Sequence, residues 1–313
     1  MKSLVYKQFG GTDVLQIIDI ETPSHGKNEI LVKVISASIN PIDWKFRKGE
    51  MKMMSGKTFP QFVGSDFSGI VKYVGTDVTE FKAGDEVLGF INKKKGGAMQ
   101  ESVVVTSDLI VKKPSNISFE KAATIPTVGM AAYIALFEKA KITKGQSILI
   151  NGCTGSVGLW ATQIAMEAGL EITGVCSSNG MELARKLGCQ RVIDYRKQKV
   201  MELKEAYDIV FDTASSMTFA DAKRLLKPNG VFLNPTPNLQ QIIGSLFINL
   251  ISRKKHKVVL GSPNKNNLQK LADYAHDGFE LLVHKTFVFV KNKEAYAYAE
   301  KGGFIGKIVV SLE

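Results

Sequence analysis

The feature that most constrains this chain is a glycine-spaced turn between an apolar run and an amphipathic segment. Ser147–Asn151 predicts a short strand, and residues 157–168 predict a helix. Gly152, Gly155 and Gly158 follow the strand at a spacing of three and three. Such glycines allow a tight turn, close approach of the backbone to a pyrophosphate and close packing of helix on strand, while the helix N-terminus attracts phosphate. We therefore predict a dinucleotide-binding turn, with a purely structural glycine turn as the alternative.

The end of the next predicted strand, Glu171–Cys176, indicates which dinucleotide is bound. An Asp or Glu about 20 residues after the turn would bond the ribose 2′-hydroxyl of NAD. This sequence has Ser177, Ser178 and Asn179 there, which can donate to a 2′-phosphate or simply cap the following helix. We therefore predict that the cofactor is NADPH. Tyr195, after the following strand, is predicted to form a second wall of the site that holds the 2′-phosphate. The predicted cofactor residues of these segments are Gly152, Thr154, Gly155, Ser156, Val157, Gly158, Ser177, Ser178, Asn179 and Tyr195.

The remaining pattern predicts an α/β protein with two domains. Short runs separated by glycine and proline predict strands early in the chain, at 29–36, 67–74, 86–91 and 102–105. Helical spacing begins with residues 121–139, and apolar strands then alternate with helices as far as 258–261, which predicts a parallel, doubly wound sheet. We expect a strand-rich domain of residues 1–121 and 279–313 and a doubly wound domain of residues 122–278.

Composition excludes several classes of protein. Over 313 residues, 41 Lys and Arg against 30 Asp and Glu give a net charge of +11, which suits phosphate-bearing ligands, anionic membrane surfaces or a merely solvated basic surface. No nucleic-acid recognition motif is present, so we expect no nucleic-acid partner. Cys153, Cys176 and Cys189 form no CxxC pair, which argues against a disulfide framework or zinc knot. The longest apolar stretch, 242–251, is too short to cross a bilayer and no secretory pattern is visible, so we expect a cytoplasmic protein.

A series of short motifs extends over nearly the whole chain in one order. They lie at residues 37–45, 64–71, 84–87, 96–97, 125–129, the glycine turn and 306–310. In this order they resemble the zinc-independent medium-chain dehydrogenases/reductases of the quinone oxidoreductase type. The sequence Asn-Pro-Ile-Asp-Trp-Lys at 40–45 particularly resembles the plant envelope and reticulon-interacting branches of that family. The resemblance implies a GroES-like substrate domain, a Rossmann domain and a cleft between them. It also places Thr127 among the cofactor-binding residues.

Zinc-dependent relatives carry Cys and a His-Glu pair at positions that this chain fills differently. Here they correspond to Asp43 and to Ser65 and Asp66, and the third ligand position, around Thr124, is not Cys. A catalytic zinc needs three converging N, S or O ligands. The four histidines lack ligand spacing, so we predict no metal.

Without zinc, the oxygen that gains negative charge during hydride transfer needs hydrogen-bond donors. The resemblance points to Asn40 as such a donor, the alternative being a strand-ending turn before Pro41. Lys45 is a candidate proton relay or a solvated lysine, and Tyr133 is a candidate cleft residue or a helix-packing residue.

Two functions follow from these features. The first is NADPH-dependent, metal-independent reduction of a quinone or an α,β-unsaturated carbonyl by a monomer or homodimer. The alternative is a non-catalytic or membrane-surface NADPH-binding protein, since the apolar-to-basic stretch at 246–257 suits anionic lipid. The same stretch also fits a Rossmann helix with a solvated basic end, because basic residues stabilise a helix C-terminus.

Overall fold

The computed structural model describes residues 1–91, 97–235, 239–259 and 264–313. The chain forms two compact units, Met1–Thr127 with Pro263–Glu313 and Val128–Ser262. The first glycine of the motif at 96–97 lies outside the described residues.

In chain order the strands are β1 (Lys2–Tyr6), β2 (Leu15–Asp19), β3 (Glu29–Ser38), β4 (Gln61–Phe62), β5 (Asp66–Val74), β6 (Glu86–Phe90), β7 (Ser102–Thr106), β8 (Ile110–Lys112), β9 (Ser147–Asn151), β10 (Glu171–Cys176), β11 (Arg191–Asp194), β12 (Tyr207–Asp212), β13 (Leu226–Asn234), β14 (Lys255–Val258), β15 (Val283–Val288) and β16 (Lys307–Ser311). The helices are α1 (Pro41–Arg47), α2 (Lys52–Ser55), α3 (Phe119–Ala123), α4 (Pro126–Tyr133), α5 (Ser156–Glu167), α6 (Met181–Lys186), α7 (Phe219–Leu225), α8 (Leu239–Ile251), α9 (Lys265–His276) and α10 (Asn292–Lys301). A π-helical segment, Ile134–Ala140, follows α4.

The second unit is built on a six-stranded parallel sheet in the order β11-β10-β9-β12-β13-β14. The apolar residues 148–150 of β9 are fully buried, as a central strand covered on both faces requires. The chain leaves β9 towards β10 on one side and later returns to β12 on the other. The carboxyl end of β9 is therefore a topological switch point, where ligands bind in sheets of this kind.

The first unit contains a larger sheet in the order β15-β16-β3-β5-β6-β8, with β7 also on β3, and a small sheet, β2-β1-β4. β16 pairs antiparallel with β3 and parallel with β15, so the C-terminal segment completes this sheet. Apolar side chains of the C-terminal segment and of the early strands belong to the same hydrophobic core; Val310, Leu4 and Phe67 are examples. The pairing also brings Lys307, at the start of β16, to the end of β3, where the Ile39 N–H donates to the Ile308 carbonyl at 3.0 Å.

The predicted parallel, doubly wound sheet is confirmed, but several of its elements and neighbours differ from the prediction. The strand predicted at 258–261 is β14 at Lys255–Val258, and residues 260–261 lie outside the described part of the chain. The continuous helix predicted at 121–139 is wrong, because Pro126 has no N–H to continue α3 and instead begins α4. Strands β1, β2, β4 and β8 were not predicted; β1 is buried along most of its length and so lacks the alternation that marks a strand. Helix α9 lies in the first unit and contacts β8, although the sequence grouped it with the doubly wound domain.

Candidate active site

The glycine turn of the second unit joins β9 to α5. Gly152 has φ +86°, in the left-handed region that favours glycine. A Cβ atom on Gly158 would lie 2.0 Å from the Gly152 carbonyl oxygen, so the helix and the turn are packed as closely as backbones allow. These two glycines are therefore required by the turn itself.

Gly155 differs from its neighbours because the space beside it is open. In the described part of the chain, a Cβ atom on Gly155 would meet a single atom within 4 Å, the Gly152 carbonyl oxygen at 3.3 Å. Gly155 is the N-cap of α5, and Ser156 and Val157 begin the first turn, which contains no acidic residue. The backbone N–H groups and the positive dipole end at a helix N-terminus suit an anion. The open position at this helix end therefore fits a pyrophosphate.

Thr154, also predicted as a cofactor residue, has a buried side chain. A Cβ atom on Gly180 would lie 2.7 Å from the Thr154 Oγ1 atom, so the hydroxyl is packed directly against the short helical turn that follows β10. The side chain thus fixes the turn against its neighbour, and its backbone is the part available to a ligand.

A carboxylate that was not predicted, Asp194 at the end of β11, lies beside the end of β10. β10 and β11 pair in parallel with Cys176 opposite Asp194, and the Ser178 hydroxyl donates to Asp194 at 2.5 Å. This hydrogen bond and that of the Arg196 N–H lower the pKa of Asp194, so it is ionised at neutral pH. The sequence prediction considered only residues 177–179 at this tip and missed Asp194, because parallel pairing brings in a residue from the next strand.

The rest of this tip is polar, as predicted, and also basic. Ser177 is half-buried and Asn179 is exposed, and the Tyr195 N–H donates to the Cys176 carbonyl at 3.1 Å, which fixes Tyr195 at the same edge. The exposed Arg196 guanidinium lies 5.8 Å from the centre of the Tyr195 ring. Arg196 therefore adds a cation beside the Asp194 carboxylate.

A buried polar cluster in the first unit contains Asn40, Asp66, Thr127 and Lys307. Asp66 is fully buried and accepts from the Asn40 Nδ2 at 3.0 Å and from the Thr127 N–H at 3.1 Å; the Thr127 hydroxyl also donates to it. Lys307, 4% exposed, donates through Nζ to the Asn40 Oδ1 at 2.5 Å and to the Ile39 carbonyl at 3.0 Å. The Asn40 side chain thus bridges a buried carboxylate and a buried ammonium.

Opposing electrostatic effects act on the two ionisable groups of this cluster. Burial raises the pKa of Asp66, while the charge of Lys307 and the hydrogen bonds from Thr127 and Asn40 lower it. Burial lowers the pKa of Lys307, while the carboxylates of Asp66 and Asp43 raise it. Each group thus favours the charged form of the other, as a buried pair needs.

The cluster constrains the roles predicted for Asn40 and Thr127. Asn40 is the N-cap of α1, where its own N–H donates to the Asp43 Oδ2 at 2.9 Å. One Nδ2 hydrogen of Asn40 is used by Asp66, so donation to a substrate oxygen depends on the other Nδ2 hydrogen. The Thr127 hydroxyl already donates to Asp66, so towards a cofactor it has acceptor capacity.

Lys45 and Tyr133 are the other two predicted catalytic residues. Lys45 is half-buried on α1, in the first unit, whereas its neighbours Arg47 and Lys48 both pair with Glu300. Tyr133 lies in the second unit, and its ring packs on Phe137 of the following helical segment with 4.6 Å between centroids. The contacts of Tyr133 therefore match the helix-packing alternative.

The positions that hold zinc in related enzymes do not fit a metal here. Asp43 accepts from the N-cap of α1, and the Thr124 hydroxyl donates to the Lys121 carbonyl at 2.7 Å. Asp66 is surrounded by its donors, and Ser65 supplies no strong ligand. Among the described residues, no group of three or more His, Cys, Asp and Glu side chains could hold a metal ion.

Two of these features were not predicted from the sequence. Asp194 lies at the end of a predicted strand, and the pairing of that strand with β10 was the missing information. Lys307 was noted only as part of a motif at 306–310. A lysine that begins an otherwise apolar strand was the available signal, but its partner lies 267 residues earlier in the chain.

Two family descriptions match the chain. The alcohol dehydrogenase GroES-like domain matches residues 26–115, and a domain described as zinc-binding dehydrogenase matches residues 187–310. The predicted pairing of a GroES-like domain with a Rossmann sheet is thereby confirmed.

Individual proteins are similar over the full length. A chloroplastic quinone oxidoreductase of Triphysaria versicolor is 30% identical, with 99% of this chain and 98% of that protein covered. A chloroplastic NADPH-dependent alkenal/one oxidoreductase of Arabidopsis thaliana is 30% identical, with 99% of this chain and 79% of that protein covered. The structure of the quinone oxidoreductase of Coxiella burnetii superimposes with a TM-score of 0.92 at 28% identity, covering 100% of this chain and 99% of that one.

Proposed function

Because this chain belongs to the quinone oxidoreductase-like family of medium-chain dehydrogenases/reductases, we propose that it reduces a quinone or an α,β-unsaturated carbonyl with NADPH and without a metal ion. The observation that carries the proposal is the open position beside Gly155 at the N-terminus of α5, next to two glycines that the turn itself requires. Relatives named for quinone and for alkenal/one reduction support the substrate class.

The preference for NADPH rests on the tip of β10. Ser177 and Asn179 can donate to a 2′-phosphate, and the exposed Arg196 adds positive charge beside them. Asp194 opposes this preference, but its charge is partly compensated by the Ser178 hydroxyl and the Arg196 N–H. The similar Arabidopsis enzyme is named as NADPH-dependent.

The chain contributes binding and charge stabilisation to the reaction. NADPH, when bound, supplies the hydride. The α5 N-terminus would hold the pyrophosphate, and the tip of β10 would distinguish the phosphate-bearing ribose. The second Nδ2 hydrogen of Asn40 donates to the acceptor oxygen as it gains negative charge, with the Lys307 ammonium behind the same amide. Lys45 is the candidate group that returns a proton.

The test follows NADPH oxidation with quinones, enones, enals and simple aldehydes, with and without a chelator. We expect turnover of at least one quinone or enone, unaffected by the chelator. Asn40→Ala should lower kcat/KM about 5- to 150-fold, the loss of about 1–3 kcal/mol expected for one donor to a developing charge. Asn28→Ala, at an exposed asparagine, is the matched control and should leave kcat/KM unchanged.

Two results would contradict the proposal. Activity that a chelator removes and Zn²⁺ restores would show a metal enzyme. Tight NADPH binding without turnover of any acceptor would favour the non-catalytic alternative. The cytoplasmic location and the monomer or homodimer remain predictions, and the two plant relatives are chloroplastic proteins.

A further inference from the structure

Helix α8 presents a continuous apolar stripe to solvent. Ile243, Leu246, Phe247, Leu250 and Ile251 are 49%, 64%, 65%, 81% and 89% exposed. Their spacing of three, one, three and one places all five on one face of the helix. Large apolar side chains in a contiguous exposed patch indicate a surface that is covered by something else.

The orientation of this stripe is fixed by contacts on the other side of α8. Ser245 is buried, and the Asn249 side chain pairs with the backbone of His256 in β14, donating to its carbonyl at 2.7 Å and accepting from its N–H at 2.8 Å. Lys255 also donates to the Asn249 carbonyl at 2.8 Å. The outward direction of the stripe therefore results from the packing of α8 on its own sheet.

The segment that directly follows the stripe is strongly basic. Residues 239–259 contain no Asp or Glu, and Arg253, Lys254, Lys255 and Lys257 follow the helix directly. Lys254 donates to the Lys223 carbonyl at 2.8 Å, which brings the exposed basic end of α7 alongside. We call the α8 stripe together with these cations the apolar-basic face.

We infer that the apolar-basic face docks the protein on an anionic lipid bilayer, with α8 lying in the plane of the interface. Apolar side chains on one helix face and cations beside them are the pattern of an interfacial helix. Among the described residues, no helix is long and apolar enough to span a membrane, and α8, about 20 Å long, is suited to lie along its surface.

A second copy of the chain fits this face less well than a bilayer does. A two-fold dimer places the same patch on both sides of the interface, and residues 239–259 supply no Asp or Glu to pair with the cations of the other copy. Like charges brought together in this way oppose association. The net charge of +11 also makes two whole molecules repel each other, whereas an anionic surface attracts both the apolar-basic face and the molecule as a whole.

The test measures partitioning of the full chain on vesicles of phosphatidylcholine alone and of phosphatidylcholine with phosphatidylglycerol. We expect binding to the anionic vesicles, weak binding to the neutral ones, and weakening by salt. Leu250→Glu should lower partitioning on anionic vesicles about tenfold, since a buried apolar contact is replaced by a charge of the wrong sign. Arg253→Gln should lower it about fivefold, the effect of one cation near the surface.

Val290→Glu is the matched control, because Val290 is 72% exposed in the first unit and lies outside the apolar-basic face. It should lower partitioning much less than Leu250→Glu, and circular dichroism should show all variants folded. Equal partitioning of the Leu250→Glu variant and the original chain would overturn the inference. A dimer in solution that Leu250→Glu converts to a monomer, with no vesicle binding by either, would instead show that a second copy covers the face.

Discussion

The glycine turn of the second unit and the buried polar cluster of the first are built in opposite ways. The turn consists of consecutive residues from Asn151 to Gly158, and its main property is the absence of side chains at defined points. The cluster combines Asn40, Asp66, Thr127 and Lys307 from distant parts of the chain. One is a local feature of the sequence, and the other exists only after the sheet has formed.

The two regions therefore respond differently to substitution. A side chain added in the turn acts by steric clash. At Gly158 it would clash with the backbone of the turn, and at Gly155 with a bound ligand. A change at Asp66 or Lys307 removes one member of a buried charged pair and leaves its partner without compensation. We expect these two charged residues of the cluster to affect mainly folding stability, and the open glycine of the turn to affect mainly ligand binding.

The largest expected effect comes from Lys307→Met. Removal of the ammonium leaves the buried Asp66 carboxylate without its cation and the Asn40 Oδ1 without its donor. The free energy of unfolding should fall by about 3–5 kcal/mol, measured by denaturant titration at neutral pH. Lys301→Met, at an exposed lysine, is the matched control and should change it by no more than about 0.5 kcal/mol.

A double variant separates the charge pair from simple loss of packing. Lys307→Met combined with Asp66→Asn removes both charges, so its loss should be smaller than the sum of the two single losses by about 1–3 kcal/mol. Strictly additive losses would contradict the coupling of Asp66 and Lys307 through Asn40.

The next effect is at Gly155. Its φ of −74° is accessible to any residue. Within the described structure, a Cβ atom there has one tight contact, with the Gly152 carbonyl oxygen at 3.3 Å, which a shift of a few tenths of an ångström relieves, so we expect Gly155→Val to fold. Its side chain would occupy the space assigned to the pyrophosphate, and calorimetry should show NADPH affinity lowered by about 100-fold or more. Gly244→Ala on α8, where a Cβ atom meets nothing within 4 Å of the described chain, is the control for removing a glycine.

Retained NADPH affinity in a folded Gly155→Val variant would make the turn purely structural. Loss of folding would instead show that Gly155 belongs with Gly158, where a Cβ atom would lie 2.0 Å from the Gly152 carbonyl oxygen.

The same contrast explains what the sequence could predict. The β9 turn, the strands near it and the doubly wound sheet follow from local spacing and periodicity, and all were predicted. Lys307 was missed as a site residue because its role depends on β16 pairing beside β3, and Asp194 because β11 pairs beside β10. Strand pairing between distant segments is not encoded in any local pattern, so contacts that depend on it could not be predicted from one sequence.

The smallest effect concerns the tip of β10, where a local prediction and a pairing-dependent residue meet. Ser177→Asp adds a second carboxylate near Asp194, so repulsion of the 2′-phosphate should lower NADPH affinity about tenfold and reverse the preference towards NADH. Asp194→Asn removes the carboxylate that pairing brings in and should strengthen NADPH binding, with NADH affinity changed less. Calorimetric titration of both cofactors on each variant measures these shifts. Equal affinity of the original chain for NADH and NADPH would contradict the predicted preference, whereas unchanged NADPH affinity in Asp194→Asn would show that Arg196 and Ser178 already neutralise this carboxylate.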